Sequence, residues 1–246
     1  MKVFVIIPAA GLGTRMAAVS GSDKSKTKQF LELRGTPILF HTLRKFANNS
    51  RIDEIVVALR KSEIPGFQQQ VAQQRLGKTV RIVEGGEHRQ NSVANALAAL
   101  NASPDDIVLV HDAVRPFVDD DTIHAVIEGA KKYDAAIAGI PAMDTVKQVD
   151  RTADGAVVLA TVPRERMVMA QTPQGFRFGL LKKAFDEATA DGFLGTDEAS
   201  LIERAGSAVH VVMGSPRNLK ITTPGDLELA EFFLSLENRH KTGATG

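Results

Sequence analysis

Val3-Phe-Val-Ile-Ile-Pro-Ala-Ala-Gly-Leu-Gly-Thr-Arg-Met16 is the stretch on which the fold and the chemistry of this chain turn. An apolar run of strand type, Val3–Ile7, is stopped by Pro8, and a turn of small residues with two glycines leads to a single arginine. Small residues let a backbone approach phosphate closely, and successive N–H groups in such a turn form an anion-binding nest. Arg15 adds a permanent cation beside it. Strand, small-residue turn and cation together describe a nucleotide-phosphate site, although the same residues also suit a tight turn with Arg15 in solvent. The loop is not a P-loop, which needs Gly-x-x-x-x-Gly-Lys-Ser/Thr. A dinucleotide fingerprint needs a third small residue where this chain has Met16, which disfavours a dehydrogenase.

Outward from this stretch, strand-like and helix-like segments alternate. Strands are expected at Val3–Ile7, Glu54–Leu59, Thr79–Val83, Ile107–Val110, Ala135–Ile140 and Val209–Met213. Helices are expected at Ile38–Asn48, with Pro37 in a first-turn position, and at Ile64–Leu76, Asn91–Leu100, Thr122–Tyr133, Leu180–Ala190, Glu198–Ala205 and Pro224–Leu236. Alternation of this kind predicts an α/β fold, a three-layer α/β/α sandwich around a mostly parallel sheet. Ligands of such sheets sit beyond the carboxyl ends of the strands, where the Pro8–Arg15 loop and His111–Arg115 both fall. The segment 143–171 breaks the rhythm. Thr145–Val149 and Ala156–Val162 flank an Asp154-Gly155 turn, a hairpin signal. A long hairpin in such a domain needs a cover; a second subunit supplies one economically, and the alternative is a hairpin folded back on its own domain. We therefore expect one domain over 1–238, an arm at about 143–171 for dimerisation, a long polar loop at 16–28 and a disordered tail at 239–246.

Composition narrows the possibilities. Of 246 residues, 43% are hydrophobic, enough for a sizeable core. A formal net charge of +1, one Tyr and no Trp argue against a nucleic-acid partner, because both a basic surface and stacking platforms are scarce. The absence of cysteine excludes disulfides, zinc–thiolate sites and cysteine nucleophiles. No apolar run approaches ~20 residues and residues 1–10 do not resemble a signal peptide, so the expectation is a cytoplasmic protein with no membrane partner.

Several polar residues are placed for chemistry. Asp112 follows a buried strand, where a carboxylate suits Mg²⁺, a hard cation that prefers oxygen ligands and triphosphate; it also suits a turn cap or a pair with Arg115. His111 reads as structural. Of the lysines after the phosphate turn, Lys28 directly precedes Gln29-Phe30, where it could neutralise charge developing in a transition state, whereas Lys24 and Lys26 read as solvated. Gly85-Gly86 with Arg89 and Ser92 leads into a helix whose N-terminus could meet a nucleotide. Thr145, Lys147, Arg164, Thr172, Thr196, Asp197 and Lys220 are scattered polar groups that could gather with Arg115 around a second anion, though spacing alone does not bring them together.

Taken in order, these segments resemble the 2-C-methyl-D-erythritol 4-phosphate cytidylyltransferase family. The resemblance runs from Val3 to about Phe233. Its carriers are Pro8–Met16, Lys28-Gln-Phe30, Gly85-Gly86 with Arg89 and Ser92, Val110–Pro116, Asp144–Lys147, Gln171–Gln174, Thr196–Ser200 and Asn218–Pro224. It implies cytidylyl transfer from CTP to the alditol phosphate with release of pyrophosphate and with Mg²⁺, and Arg15 and Lys28 as catalytic cations. It implies a nucleotide held by Ala9, Ala10, Gly11, Gly13, Gly86, Arg89 and Ser92, and a metal on Asp112. Asp112, Arg115, Thr145, Arg164, Thr172, Thr196, Asp197 and Lys220 would surround the alditol phosphate. It implies a homodimer whose arms embrace, Arg164 coming from the partner's arm. Val114 stands where the family usually has Ala, and Arg217 where some members have an acid. A cytidylyltransferase for another alditol phosphate, such as ribitol 5-phosphate, is the nearest rival.

Overall fold

A computed structural model describes residues 1–11, 27–74 and 76–243. Gly13 and Arg15, with Lys24 and Lys26 of the long polar loop, lie outside the described residues, as do residues 244–246.

The strands β1 (Val3–Pro8), β4 (Glu54–Leu59), β5 (Thr79–Glu84), β6 (Ile107–Val110), β7 (Ala135–Pro141), β10 (Val168–Arg177) and β11 (His210–Met213) form one sheet in the order β11-β7-β10-β6-β1-β4-β5. β1 pairs parallel with β4 and β6, β4 with β5, and β7 with β11. β10 runs antiparallel to both its neighbours. Two two-stranded sheets stand apart: β2 (Glu32–Leu33) with β3 (Thr36–Pro37), and β8 (Val146–Thr152) with β9 (Gly155–Val162).

β1 shows why the sequence folds into layers. Its residues are buried on both faces, as a central strand of a covered sheet requires. Val3, Val5 and Ile7 pack on one side with α1 (Ile38–Ala47), α2 (Ile64–Gln73) and α4 (Asp120–Tyr133). Phe4 and Ile6 pack on the other with α3 (Arg89–Ala98), α5 (Phe178–Ala190) and α6 (Glu198–Arg204). Each fully buried aliphatic side chain here is worth roughly 1.5–3 kcal/mol, so the alternation of β1 fixes which helices lie on which face. A third cluster joins Leu33, Ile38, Val114 and Phe117 to Ile221, Ala230 and Leu234, and so ties α7 (Pro224–Gly243) to the segment that follows β6.

β10 was not legible in the sequence. Gln171-Thr-Pro-Gln-Gly175 lacks the apolar pattern of a strand, yet its register places it between β6 and β7. The pairing with β7 shifts between Ala170 and Gln174, so Thr172 and Pro173 sit in a bulge where Pro173 needs no ladder hydrogen bond. Gly175 lies in this strand where an added Cβ would come within 2.7 Å of Val126, a close approach to α4 that only glycine permits. Helix α7 runs to Gly243, beyond the Leu236 at which the apolar pattern stops.

The hairpin at 146–162 has a two-residue loop, Ala153-Asp154, followed by Gly155 at φ 145°. Every residue of β8 and β9 except Val146 and Val162 is exposed, so this ribbon does not fold back on its own chain. Val168–Gln171 belong to β10 of the central sheet, which ends the hairpin before Val168. No helix among the described residues is long and apolar enough to cross a membrane.

Candidate active site

β1 is followed by a crossover to β4 on one side, and β5 leads through α3 to β6 on the other. The strand order reverses between β1 and β6, and the loops at their carboxyl ends splay apart into a crevice, the usual ligand position in such sheets. A cavity of about 200 Å³ opens there, lined by Ala9–Gly11, Lys28, Gln29, Gly86–Arg89, Ser92, Asp112–Val114 and Lys220 among others. A larger hollow of about 540 Å³ lies between α1 and α7, but its cations are occupied locally, Lys45 by Glu237 at 3.0 Å and Arg34 by Glu231 at 3.5 Å.

The floor of the crevice is a buried charge cluster. Asp112 is only 7% exposed, and its Oδ1 accepts from Arg89 Nε at 3.3 Å. Its Oδ2 meets Lys220 Nζ at 2.8 Å and Arg115 Nε at 3.4 Å. Burial by itself would push the Asp112 carboxyl up, but Arg89, Lys220 and Arg115 outweigh it and hold the group well below the usual carboxylate range. Arg89 Nη1 also reaches both oxygens of buried Glu198, at 2.6 and 2.9 Å. Burial opposes the Arg89 charge, yet the two carboxylates raise its pKa, and it stays protonated. Arg115 Nη1 donates to Asn218 O at 2.7 Å, which binds the segment carrying Lys220 to the segment after β6. Three cations face two carboxylates on this floor, and at the wall Lys28 adds a fourth cation and Glu87 a third acid. The excess is positive, as a polyanionic ligand requires.

His111 is fully buried against the Phe46 ring and organises this floor from behind. Its Nε2 lies 3.0 Å from Arg115 O, so Nε2 carries the hydrogen and donates. Nδ1 then accepts from the Thr172 hydroxyl at 3.1 Å, whose oxygen in turn accepts the Asp112 N–H at 3.0 Å. Burial pushes the His111 pKa down from 6.5 to about 4, and the ring is neutral at neutral pH.

The upper wall is the start of α3. Gly86 N–H donates to Ser92 Oγ at 3.1 Å, and His88 N–H donates to Asn91 Oδ1 at 3.1 Å. A Cβ on Gly85 would fall 2.5 Å from that of Ala10, and one on Gly86 would fall 2.3 Å from that of Asn91, so both positions require glycine for the walls to meet.

The structure therefore brings together Ala9, Ala10, Gly11, Lys28, Gly86, Arg89, Ser92, Asp112 and Lys220 around one crevice. Arg115 and Thr172 are buried beneath it and bear on Asp112. Asp197 caps α6 by accepting from Ser200 N–H, and accepts from Gln174 Nε2 at 2.8 Å. Thr196 is exposed beside it. Thr145 and Arg164 are exposed near the base of the hairpin and do not line the crevice; Arg164 Nη1 donates to Met143 O at 2.9 Å. Lys147, also on the hairpin, donates to Thr161 Oγ1 at 2.6 Å. Sequence reasoning missed Glu198 and Gln29 as members of the site. In sequence Glu198 is an ordinary acid in the first turn of a helix, and nothing local signals that Arg89 lies opposite.

Comparison with known proteins gives a consistent result. The family model IspD, 2-C-methyl-D-erythritol 4-phosphate cytidylyltransferase, matches residues 3–236. A protein of Acidobacterium capsulatum bearing that enzyme name is 58% identical over 234 residues, covering 95% of this chain and 98% of the relative. One from Solibacter usitatus with the same name is 54% identical over 245 residues, 98% of this chain and 99% of its own length. The crystal structure of the Francisella tularensis enzyme of this name matches with a TM-score of 0.78 at 39% identity, covering 94% of this chain and 99% of that one.

The neutral His111 has a measurable consequence. As pH falls, the unfolded chain takes up a proton on this ring near 6.5 while the folded state resists until about 4. Its contribution is fully present above 6.5 and is lost as pH falls toward 4, in total roughly 3 kcal/mol. Thermal melting across this window tests it. His111→Asn should be less stable than wild type near neutrality but show a flatter decline on acidification, whereas parallel curves would contradict the assignment.

Proposed function

The chain belongs to the 2-C-methyl-D-erythritol 4-phosphate cytidylyltransferase family, and from that premise we propose how its crevice carries out the family's reaction. The reaction is transfer of the cytidylyl group from CTP to 2-C-methyl-D-erythritol 4-phosphate, giving 4-CDP-2-C-methyl-D-erythritol and pyrophosphate, a step of non-mevalonate isoprenoid biosynthesis. None of the relatives reported above favours ribitol 5-phosphate as acceptor.

In this reading Ala9, Ala10 and Gly11 face the triphosphate, the family pattern assigns Gly13 to the same nucleotide, and Gly86, Arg89 and Ser92 hold the nucleoside side. A phosphate oxygen of the acceptor attacks the α-phosphorus as the bond to the pyrophosphate oxygen breaks. Charge accumulates on the α-phosphoryl oxygens, and Lys28 and Arg15 stabilise it. Such a reaction needs positioning and positive charge rather than a covalent nucleophile, which agrees with a crevice that carries excess cations. Lys220 faces the acceptor's phosphate, while Arg115 and Thr172 keep Asp112 and its neighbours in place. Thr196 and Asp197 stand on the acceptor side.

We propose that the Asp112 carboxylate meets a Mg²⁺ that arrives with the triphosphate. The carboxylate is ionised, it lines the crevice, and its cation contacts use three of about four acceptor positions. One carboxylate suffices where substrate phosphates supply further oxygens. The ion would neutralise part of the triphosphate charge when bound.

We further propose a cytoplasmic homodimer. The ribbon of β8 and β9 exposes Val157, Val158 and Leu159, each more than half accessible, and a twofold partner would cover them. The same symmetry would carry Thr145 and Arg164 to the partner's crevice.

The observation that carries this reading is the cationic floor around Asp112, which shares a crevice with Ala9–Gly11. Pyrophosphate release with CTP and each alditol phosphate tests the reaction itself. Lys28→Ala and Arg15→Ala should each lower kcat by ~10² or more with the fold intact, the scale of one lost transition-state contact. A near-normal rate in either variant removes that cation from the catalytic role. The dimer arrangement is tested by mixing Arg164→Ala with Lys28→Ala chains. Action across the interface predicts that heterodimers regain one working crevice in two, and no recovery would place Arg164 with its own chain's crevice.

A further inference from the structure

The turn after β1 has its carbonyl groups secured from behind. Gln29, 1% exposed, donates through Nε2 to Ala9 O at 2.6 Å and to Gly11 O at 3.5 Å. Arg60, just past the end of β4, donates through Nε to Ala10 O at 2.9 Å. Ala9 N–H is itself spent on Ala58 O at 2.8 Å. Two side chains from separate segments thus hold three consecutive carbonyls. In a planar trans peptide the C=O and the following N–H point in opposite directions. With the Ala9 carbonyl turned to Gln29 and the Ala10 carbonyl to Arg60, the Ala10 N–H is directed away from Gln29 and the Gly11 N–H away from Arg60, and both residues line the crevice.

We propose that Gln29 and Arg60 are positioning residues that aim the Ala10 and Gly11 amides at the triphosphate of the nucleotide. The inference rests on the crevice being the CTP site. Gln29 uses both amide hydrogens in the task, which neither a glutamate nor an aliphatic residue can reproduce. Gln29 also sits beside Lys28 in the same 3₁₀ turn (Lys28–Phe30), so one anchor sets the amides and the cation in a common frame. A Cβ at Gly85 would strike Ala10, so the opposite wall is held in close approach to this turn.

The test uses full-length enzyme labelled with ¹⁵N-alanine and ¹⁵N-glycine and titrated with CTP and Mg²⁺, together with steady-state kinetics. In wild type the Ala10 and Gly11 amide signals should move saturably. In Gln29→Leu and Arg60→Leu these shifts should shrink, and KM for CTP should rise by about 10-fold or more, the scale of one or two lost hydrogen bonds. KM for the alditol phosphate should stay within about 2-fold. Gln29→Glu should be worse than Gln29→Leu, because it sets a carboxylate against carbonyl oxygens, and Arg60→Lys should recover part of the loss. A purely structural role would lower the active fraction and the melting temperature without changing KM for CTP selectively, and that outcome overturns the proposal. Should Gln29 variants fail to fold, the selective KM effect of Arg60→Leu decides. Wild-type amides indifferent to CTP would instead overturn the placement of the nucleotide, and the inference with it.

Discussion

A carboxylate taken out of water must be matched by charge, and Asp112 is matched by three cations drawn from separate parts of the chain. Arg89 comes from the first turn of α3, Arg115 from the turn after β6, and Lys220 from the segment leading to α7. Burial alone would favour the neutral acid, and the three cations together outweigh it and keep the carboxylate ionised. Removing Arg115, the best buried of the three, leaves a buried charge short of compensation, a loss of several kcal/mol for a well-buried pair, whereas the partly exposed Arg89 and Lys220 are screened by solvent and count for less. The same contacts therefore close the fold and form the cationic floor of the crevice.

The layers explain how this convergence is reached. β1 and β6 lie side by side, so the glycine turn and the His111–Arg115 segment emerge next to each other. β10, antiparallel and bulged, brings Thr172 under Asp112, and the Thr172–His111 relay fixes both the ring tautomer and the Asp112 backbone. The cluster of Leu33, Val114, Ile221 and Ala230 then presses the Lys220 segment onto the same loop. Apolar packing sets the positions, and the polar floor uses them.

Much of this was legible in the sequence. Continuous apolar runs marked the inner parallel strands β1, β4 and β6, which are buried on both faces and carry few polar residues to confuse the pattern. The glycine turn, Lys28 and the Asp112 segment were recognisable from residue type and place. What could not be read was pairing over long separations. Glu198 looks like any first-turn acid until Arg89 is seen across from it. Gln171–Gly175 looks like a loop because a bulged strand holding Pro173 departs from alternation. Thr145 and Arg164 lie outside the crevice of their own chain, in keeping with the expectation that Arg164 serves a partner's crevice, whereas the sequence groups Thr145 with the acceptor site without that distinction.

The most direct test of the charge balance is a ¹³C titration of the Asp112 side-chain carboxyl in the free enzyme, assigned with Asp112→Asn. Compensation by Arg89, Arg115 and Lys220 predicts a resonance that keeps its ionised position down to the pH at which the fold is lost, with no midpoint in the ordinary aspartate range near ~4. A midpoint at or above that range in the folded protein would mean that burial outweighs the three cations, and the cationic floor described here would not exist in that form.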